Sequence, residues 1–97
     1  MDNKEAVNMI DLTDCKRLGD LHERIRVALD FPEWYGKNWS AFWDLIYMEY
    51  DQTKIRIIGS GTVHPELKGS VDMMLKLLEK NKREQREWYD FDYEVID

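Results

Sequence analysis

Four large aromatic rings gathered around one helical acid form the arrangement in this chain whose chemistry is easiest to specify. Residues 31–46 read FPEWYGKNWSAFWDLI and hold Trp34, Tyr35, Trp39 and Trp43 around Asp44. Trp and Tyr supply large, rigid, amphipathic surfaces, and an acid among them can meet a cation. The grouping therefore suits a face that grips another protein. It suits a catalytic cleft less well, because no base, nucleophile or metal ligand accompanies the rings. Elsewhere, Cys15, His22 and His64 are too dispersed for a dyad, and no CxxC, HExxH or His pair is present. His22 lies beside apolar positions and reads as a packed or capping histidine, while His64, next to Pro65, offers at most one weak metal ligand. Gly59-Ser60-Gly61 follows a strand pattern but lacks the rest of a phosphate-loop fingerprint. The Asp44–Tyr47 pair is the single feature that favours an enzyme. The expectation is a binding protein without catalysis, cofactor or metal.

The elements that must position these residues are legible from periodicity. The segment 6–10, AVNMI, reads as a short strand, after which Thr13 or Asp14 is placed to cap a helix. Leu18, Leu21, Ile25, Ala28 and Leu29 recur at spacings of three and four, which predicts an amphipathic helix over 15–29. Pro32 ends it, since the residue before a proline avoids helical angles. Gly36 allows a turn, and Asn38 is placed to cap a second helix over 39–50. Segment 54–58, KIRII, is a strand stopped by Gly59-Ser60-Gly61, and Pro65 with Glu66 opens a third helix. Val71, Met74, Leu75 and Leu78 form the apolar stripe of that helix, and Lys80-Asn81-Lys82-Arg83 suits its negative pole. The tail 89–95, YDFDYEV, alternates strictly, as a strand with one apolar and one acidic face. Its acids, with Asp97, fit a solvated sheet face or a mimic of a phosphate backbone. Strand, helix, helix, strand, helix, strand is the order of an α/β fold with a small parallel sheet and right-handed crossovers.

On the second helix, about 100° per residue puts Phe42, Leu45 and Ile46 on one side, with Trp39 and Tyr50 beside them. Ser40, Asp44, Tyr47 and Asp51 face the other way, and Trp43 falls on the border. No basic residue lies between Trp39 and Gln52, so the outward side is an acidic-aromatic ridge. Tryptophans at helical spacing are most often core, which leaves Trp39 open to either role. Adjacent rings in a loop, Trp34 and Tyr35, point instead to a functional surface.

Composition bounds the partners. Ninety-seven residues, 43% hydrophobic and 12% aromatic, predict one globular domain over 1–97. Fourteen Lys and Arg against 20 Asp and Glu give a net charge of −6, which disfavours nucleic-acid binding. Such a surface either steers the protein onto a basic partner or serves solubility. No apolar run approaches the roughly 18 residues of a membrane span. One cysteine and an N-terminus, MDNKEAVNMIDL, without signal-peptide character predict a cytoplasmic protein.

Asp20-Leu21-His22, Leu29, Pro32-Glu33, Tyr35-Gly36, Asn38, Ala41 and Trp43-Asp44 fall at fixed spacings, without gaps, over 19–46. In this pattern the chain resembles the barstar family, intracellular inhibitors of the ribonuclease barnase. The family's Leu-Pro-Glu-aromatic-Tyr-Gly run appears with Phe31 in place of the leucine. The resemblance implies a barstar-like fold, a three-stranded parallel sheet packed with three to four helices. It implies that Asp44 enters a ribonuclease active site and occupies a phosphate position. Trp34, Asn38, Trp39, Ser40, Trp43 and Tyr47 fall on contact positions, and Glu79 is the candidate for a further glutamate contact on the helix before the last strand. Some positions depart from the family. Ser40 and Lys37 each replace an acid, Trp39 replaces an aliphatic residue, and Glu49 replaces a tryptophan. Losing an acid at Ser40 removes a charge-assisted contact, of order 2–5 kcal/mol when buried. The departures argue for a partner shaped differently from barnase. The expected partner is a basic ribonuclease or other nuclease-like toxin, held by a monomer in a 1:1 heterodimer. A non-enzyme partner bound by the same ridge is the alternative.

Overall fold

The computed structural model describes residues 7–48, 54–85 and 91–96. The chain runs β1 (Val7–Asp11), α1 (Leu18–Leu29), α2 (Trp39–Met48), β2 (Lys54–Ile58), α3 (Lys68–Gln85) and β3 (Asp92–Ile96). The strands form one sheet in the order β1-β2-β3, and both pairings are parallel. This is the α/β architecture expected from the sequence, with three α-helices among the described residues. Register puts Ile10, Ile57 and Val95 in one row and Asn8, Ile55 and Tyr93 in the next, all on one face. Ile10, Ile55 and Ile57 are buried there, as the period of two requires of a face laid on helices. The opposite face carries Met9, Arg56 and Glu94 in one row, with Arg56 Nε donating to Glu94 at 2.7 Å across the strands. One buried cluster joins Leu21, Ile25 and Leu29 of α1, Phe42, Leu45 and Ile46 of α2, and Val71, Met74 and Leu78 of α3.

The starts of two helices differ from expectation for identifiable reasons. Thr13 and Asp14 do not cap α1. The Thr13 N–H instead donates to Asp11 Oδ1 at 2.9 Å, closing an Asx turn, and the Asp14 N–H donates to Thr62 Oγ1 at 2.8 Å. Asp14 is in the left-handed region at φ 58°, so the helix starts only after Arg17, which makes no side-chain cap. This turn presses against Gly59, where φ is 77° and an added Cβ would lie 2.5 Å from the Thr13 nitrogen. Only glycine fits both constraints. The third helix is the other case. Pro65–Leu67 forms a short 3-10 turn ahead of α3, and the Glu66 N–H donates to His64 Nδ1 at 3.1 Å. His64 thus caps this turn. Ala6, Glu49, Tyr50, Asp51, Gln52, Tyr89, Asp90 and Asp97, all named in the sequence reading, lie outside the described residues.

Candidate partner-binding face

The loop from α1 to α2 is shaped by backbone geometry at both ends. Asp30 closes α1 in the left-handed region at φ 58°, and Lys37 takes φ 55° just before α2. Between them the Tyr35 N–H donates to Pro32 O at 3.0 Å, which turns the chain at Glu33 and Trp34. Trp34 is left 77% exposed. Tyr35, expected at the surface beside it, is only 4% exposed. Its ring packs on Phe31 at 5.2 Å, and its hydroxyl lies 2.7 Å from His22 Nδ1 in a buried hydrogen bond. The side chain that anchors the loop therefore points inward and the one that can meet a partner points out. Lys37 ties the same loop to α1 through Glu23 at 3.4 Å.

His22 is fully enclosed, with Trp39 packed on its ring at 4.4 Å centroid separation. Burial, and to a lesser degree the charge of Lys37, lowers its pKa below the ordinary 6.5. The unfolded chain then takes up the proton first as pH falls, so the His22 contribution to stability is complete above 6.5 and is lost below it. Glu23 acts in a lower window. Its hydrogen bond from Arg26 holds it at about 2, so its contribution disappears only below 4.5. The urea midpoint of the wild-type chain is expected to fall between about pH 7.5 and about pH 5.5, and that of His22→Gln to fall less. Equal falls in the two proteins would contradict this assignment.

Asn38 caps α2 as the sequence indicates. Its Oδ1 accepts from the Ala41 N–H at 2.8 Å and its Nδ2 donates to Gly36 O at 3.2 Å, so both ends of this exposed amide are used within the loop. The cap fixes the phase of the helix. Phe42, Leu45 and Ile46 are buried, and Ser40, Asp44 and Tyr47 are exposed. Trp43 is half-buried and stacks on Tyr47 at 5.0 Å and 24°, and Trp39 meets Phe42 edge-on at 5.4 Å and 89°. Trp39 therefore belongs partly to the core while keeping one edge in the surface. Asp44 has no hydrogen-bond or ion-pair partner among the described residues. A carboxylate on a capped helix, beside a ring stack and without a partner among the described residues, can accept hydrogen bonds from a cation.

α3 runs alongside α2, and Glu79 is not among the residues that line the groove between them. Glu79 accepts from the Tyr93 hydroxyl at 2.8 Å and from Arg83 Nε at 3.3 Å. The Tyr93 bond, followed by Arg83, holds the Glu79 carboxyl below its ordinary range, and burial pushes Tyr93 up to about 12. Glu79 thus fastens α3 to β3 and does not line the groove that holds Asp44. The α3 residues that do line it are Met73, Leu77 and Lys80, opposite Trp39, Ser40, Trp43 and Asp44, around a shallow groove of about 310 Å³. Lys80 Nζ sits 4.6 Å from the centre of the Trp43 ring, in cation–π range. Sequence reasoning missed these three. Their signal was a second row at spacings of four and three, next to the buried Val71–Met74–Leu78 stripe.

Against known proteins, the family model described as "Barstar (barnase inhibitor)" matches residues 5–95. A Bacillus subtilis (strain 168) protein named "Putative ribonuclease inhibitor YrdF" is 40% identical over 38 residues, which are 39% of this chain and 42% of that relative. The paired stretch thus spans less than half the length of that relative. The family match extends from the first strand to the last, through the Asn38-capped ridge and the parallel sheet behind it, and this chain belongs to the Barstar family.

Proposed function

We propose that this chain is a protein inhibitor that enters the active site of a basic, ribonuclease-type toxin, with Asp44 in the place of a substrate phosphate. The observation that carries the reading is the Asp44 carboxylate on a capped helix, without a partner among the described residues and beside the Trp43–Tyr47 stack. A site that binds RNA phosphate must present Arg, Lys or His, and a rigid carboxylate can satisfy the same donors. Family membership and the relative named "Putative ribonuclease inhibitor YrdF" support it. In this reading Trp34, Trp39 and Trp43 exclude water around the acid, Ser40 and Tyr47 flank it, and Asn38 holds its helix in phase. Tyr35 supports the loop from beneath. The protein acts in the cytoplasm of the cell that makes the toxin, binds one toxin molecule per monomer and performs no chemistry of its own.

The charge of the molecule makes the reading testable by kinetics. A chain of net charge −6 carrying an exposed acid into a cation-lined cleft is steered by long-range attraction. The association rate with the toxin is expected to fall by about tenfold or more from low to high salt, with a much smaller change in the dissociation rate. Stopped-flow fluorescence of Trp43 and Trp39 reads this directly. A salt-independent association rate would contradict entry into a basic site and favour an uncharged partner for the same ridge.

A further inference from the structure

We infer that a basic edge on α3, formed by Lys76 and Lys80, selects the target by requiring an acidic group next to the cations that Asp44 meets. The inference rests on the proposed role of Asp44 and refines it. Lys76, Lys80 and Arg83 recur at spacings of four and three and are all exposed on α3. Arg83 is engaged by Glu79 at 3.3 Å, whereas Lys76 and Lys80 form no ion pair among the described residues. Lys80 borders two grooves. One, of about 310 Å³, holds Ser40 and Asp44, and the other, of about 350 Å³, holds Lys76, Glu79, Arg83 and Glu84. Its ammonium rests on the Trp43 ring at 4.6 Å, which sets the cation in a defined position beside the acidic ridge.

In the groove they share, the face therefore changes sign from the Asp44 carboxylate on α2 to the Lys80 ammonium on α3. A toxin whose cleft is basic on every side would satisfy Asp44 but press its own cations against Lys80 and Lys76. Such like-charge meetings are how an interface rejects a wrong partner. A toxin whose phosphate site is bordered by an Asp or Glu would satisfy both rows at once. Met73 and Leu77, which line the same groove as Asp44 and Lys80, offer that border an apolar surface. The partner chemistry is thus a nuclease with a basic centre and an acidic, partly apolar rim.

Barnase, the enzyme in the family's description, serves as the probe of a basic ribonuclease site. Its affinity for the wild-type chain, for Lys76→Glu/Lys80→Glu and for Lys80→Met is measured by titration calorimetry at low and high salt. The double variant is expected to bind barnase at least about tenfold more tightly than wild type at low salt, with the gain shrinking as salt screens it. Lys80→Met keeps an unbranched apolar side chain while losing the charge, and is expected to gain by a smaller factor. No gain in either variant, or a loss, overturns the inference. Adding Asp44→Ala separates the two ideas. If the lysine variants tighten binding and Asp44→Ala then changes nothing, charge selection stands and the Asp44 reading falls. If Asp44→Ala weakens binding but the lysine variants gain nothing, the reverse holds.

Discussion

Asp44→Ala is expected to weaken binding to the target toxin by at least 2 kcal/mol, about thirtyfold, with no measurable loss of stability. The size follows from where the charge goes. Free in water, the carboxylate is solvated and has no partner among the described residues. In the complex it would replace a phosphate among buried cations, and truncation would leave those cations desolvated and unpaired. Removing an exposed side chain from the outward side of α2 leaves the core untouched, so stability should move by less than about 0.5 kcal/mol. Asp44→Asn should lose most of the same affinity, because the charge rather than the shape satisfies the donors. Calorimetric titration with matched urea curves separates the two readouts, and a loss below about 1 kcal/mol would remove Asp44 from the centre of the interface.

Phe42→Ala is expected to act in the opposite manner, costing about 3–5 kcal/mol of folding stability. Phe42 is fully buried and meets both neighbours that shape the face, Trp39 at 5.4 Å and Phe31 at 6.2 Å. Its removal opens a void beneath the second turn of α2, where neither the parallel sheet nor the Asn38 cap can collapse to fill it. A domain of this size holds roughly 5–15 kcal/mol in total, so the variant should be largely destabilised at moderate urea. Trp34→Ala is the control, since Trp34 is 77% exposed and its loss should change stability little while weakening binding. A Phe42→Ala midpoint near that of wild type would mean that α2 is not held as described.

The parts of the fold that sequence exposes are those governed by local rules. β2 falls on Lys54–Ile58, as read from alternation and the following Gly59, and Asn38 caps α2 as its residue type requires. The two sides of α2 follow from helical spacing alone. What stayed hidden depends on partners distant in sequence. The start of α1 moved because Asp14 bonds to Thr62, 48 residues away. Tyr35 turned inward because its hydroxyl reaches His22, 13 residues back, and no turn rule shows which of two adjacent rings is the buried one. Glu79 and Lys80 are neighbours in sequence, yet Tyr93 on β3 draws one away while Trp43 on α2 takes the other. Which of them reaches the Asp44 groove depends on the rotation of α3, and periodicity leaves that rotation uncertain by one residue. The acidic ridge was therefore legible, and the basic row beside it was not.

With Asp44 in a phosphate position, the chain would stop a ribonuclease by occupying its active site. The most direct measurement is RNA cleavage by toxin captured on the immobilised chain and then eluted from it, followed as free chain is added back. The expected result is complete loss of cleavage at one equivalent, relieved by excess mononucleotide that competes for the phosphate site, with Asp44→Ala failing to inhibit at the same concentration. A captured partner that does not cleave RNA, or one that still cleaves it when saturated with the chain, would contradict the account.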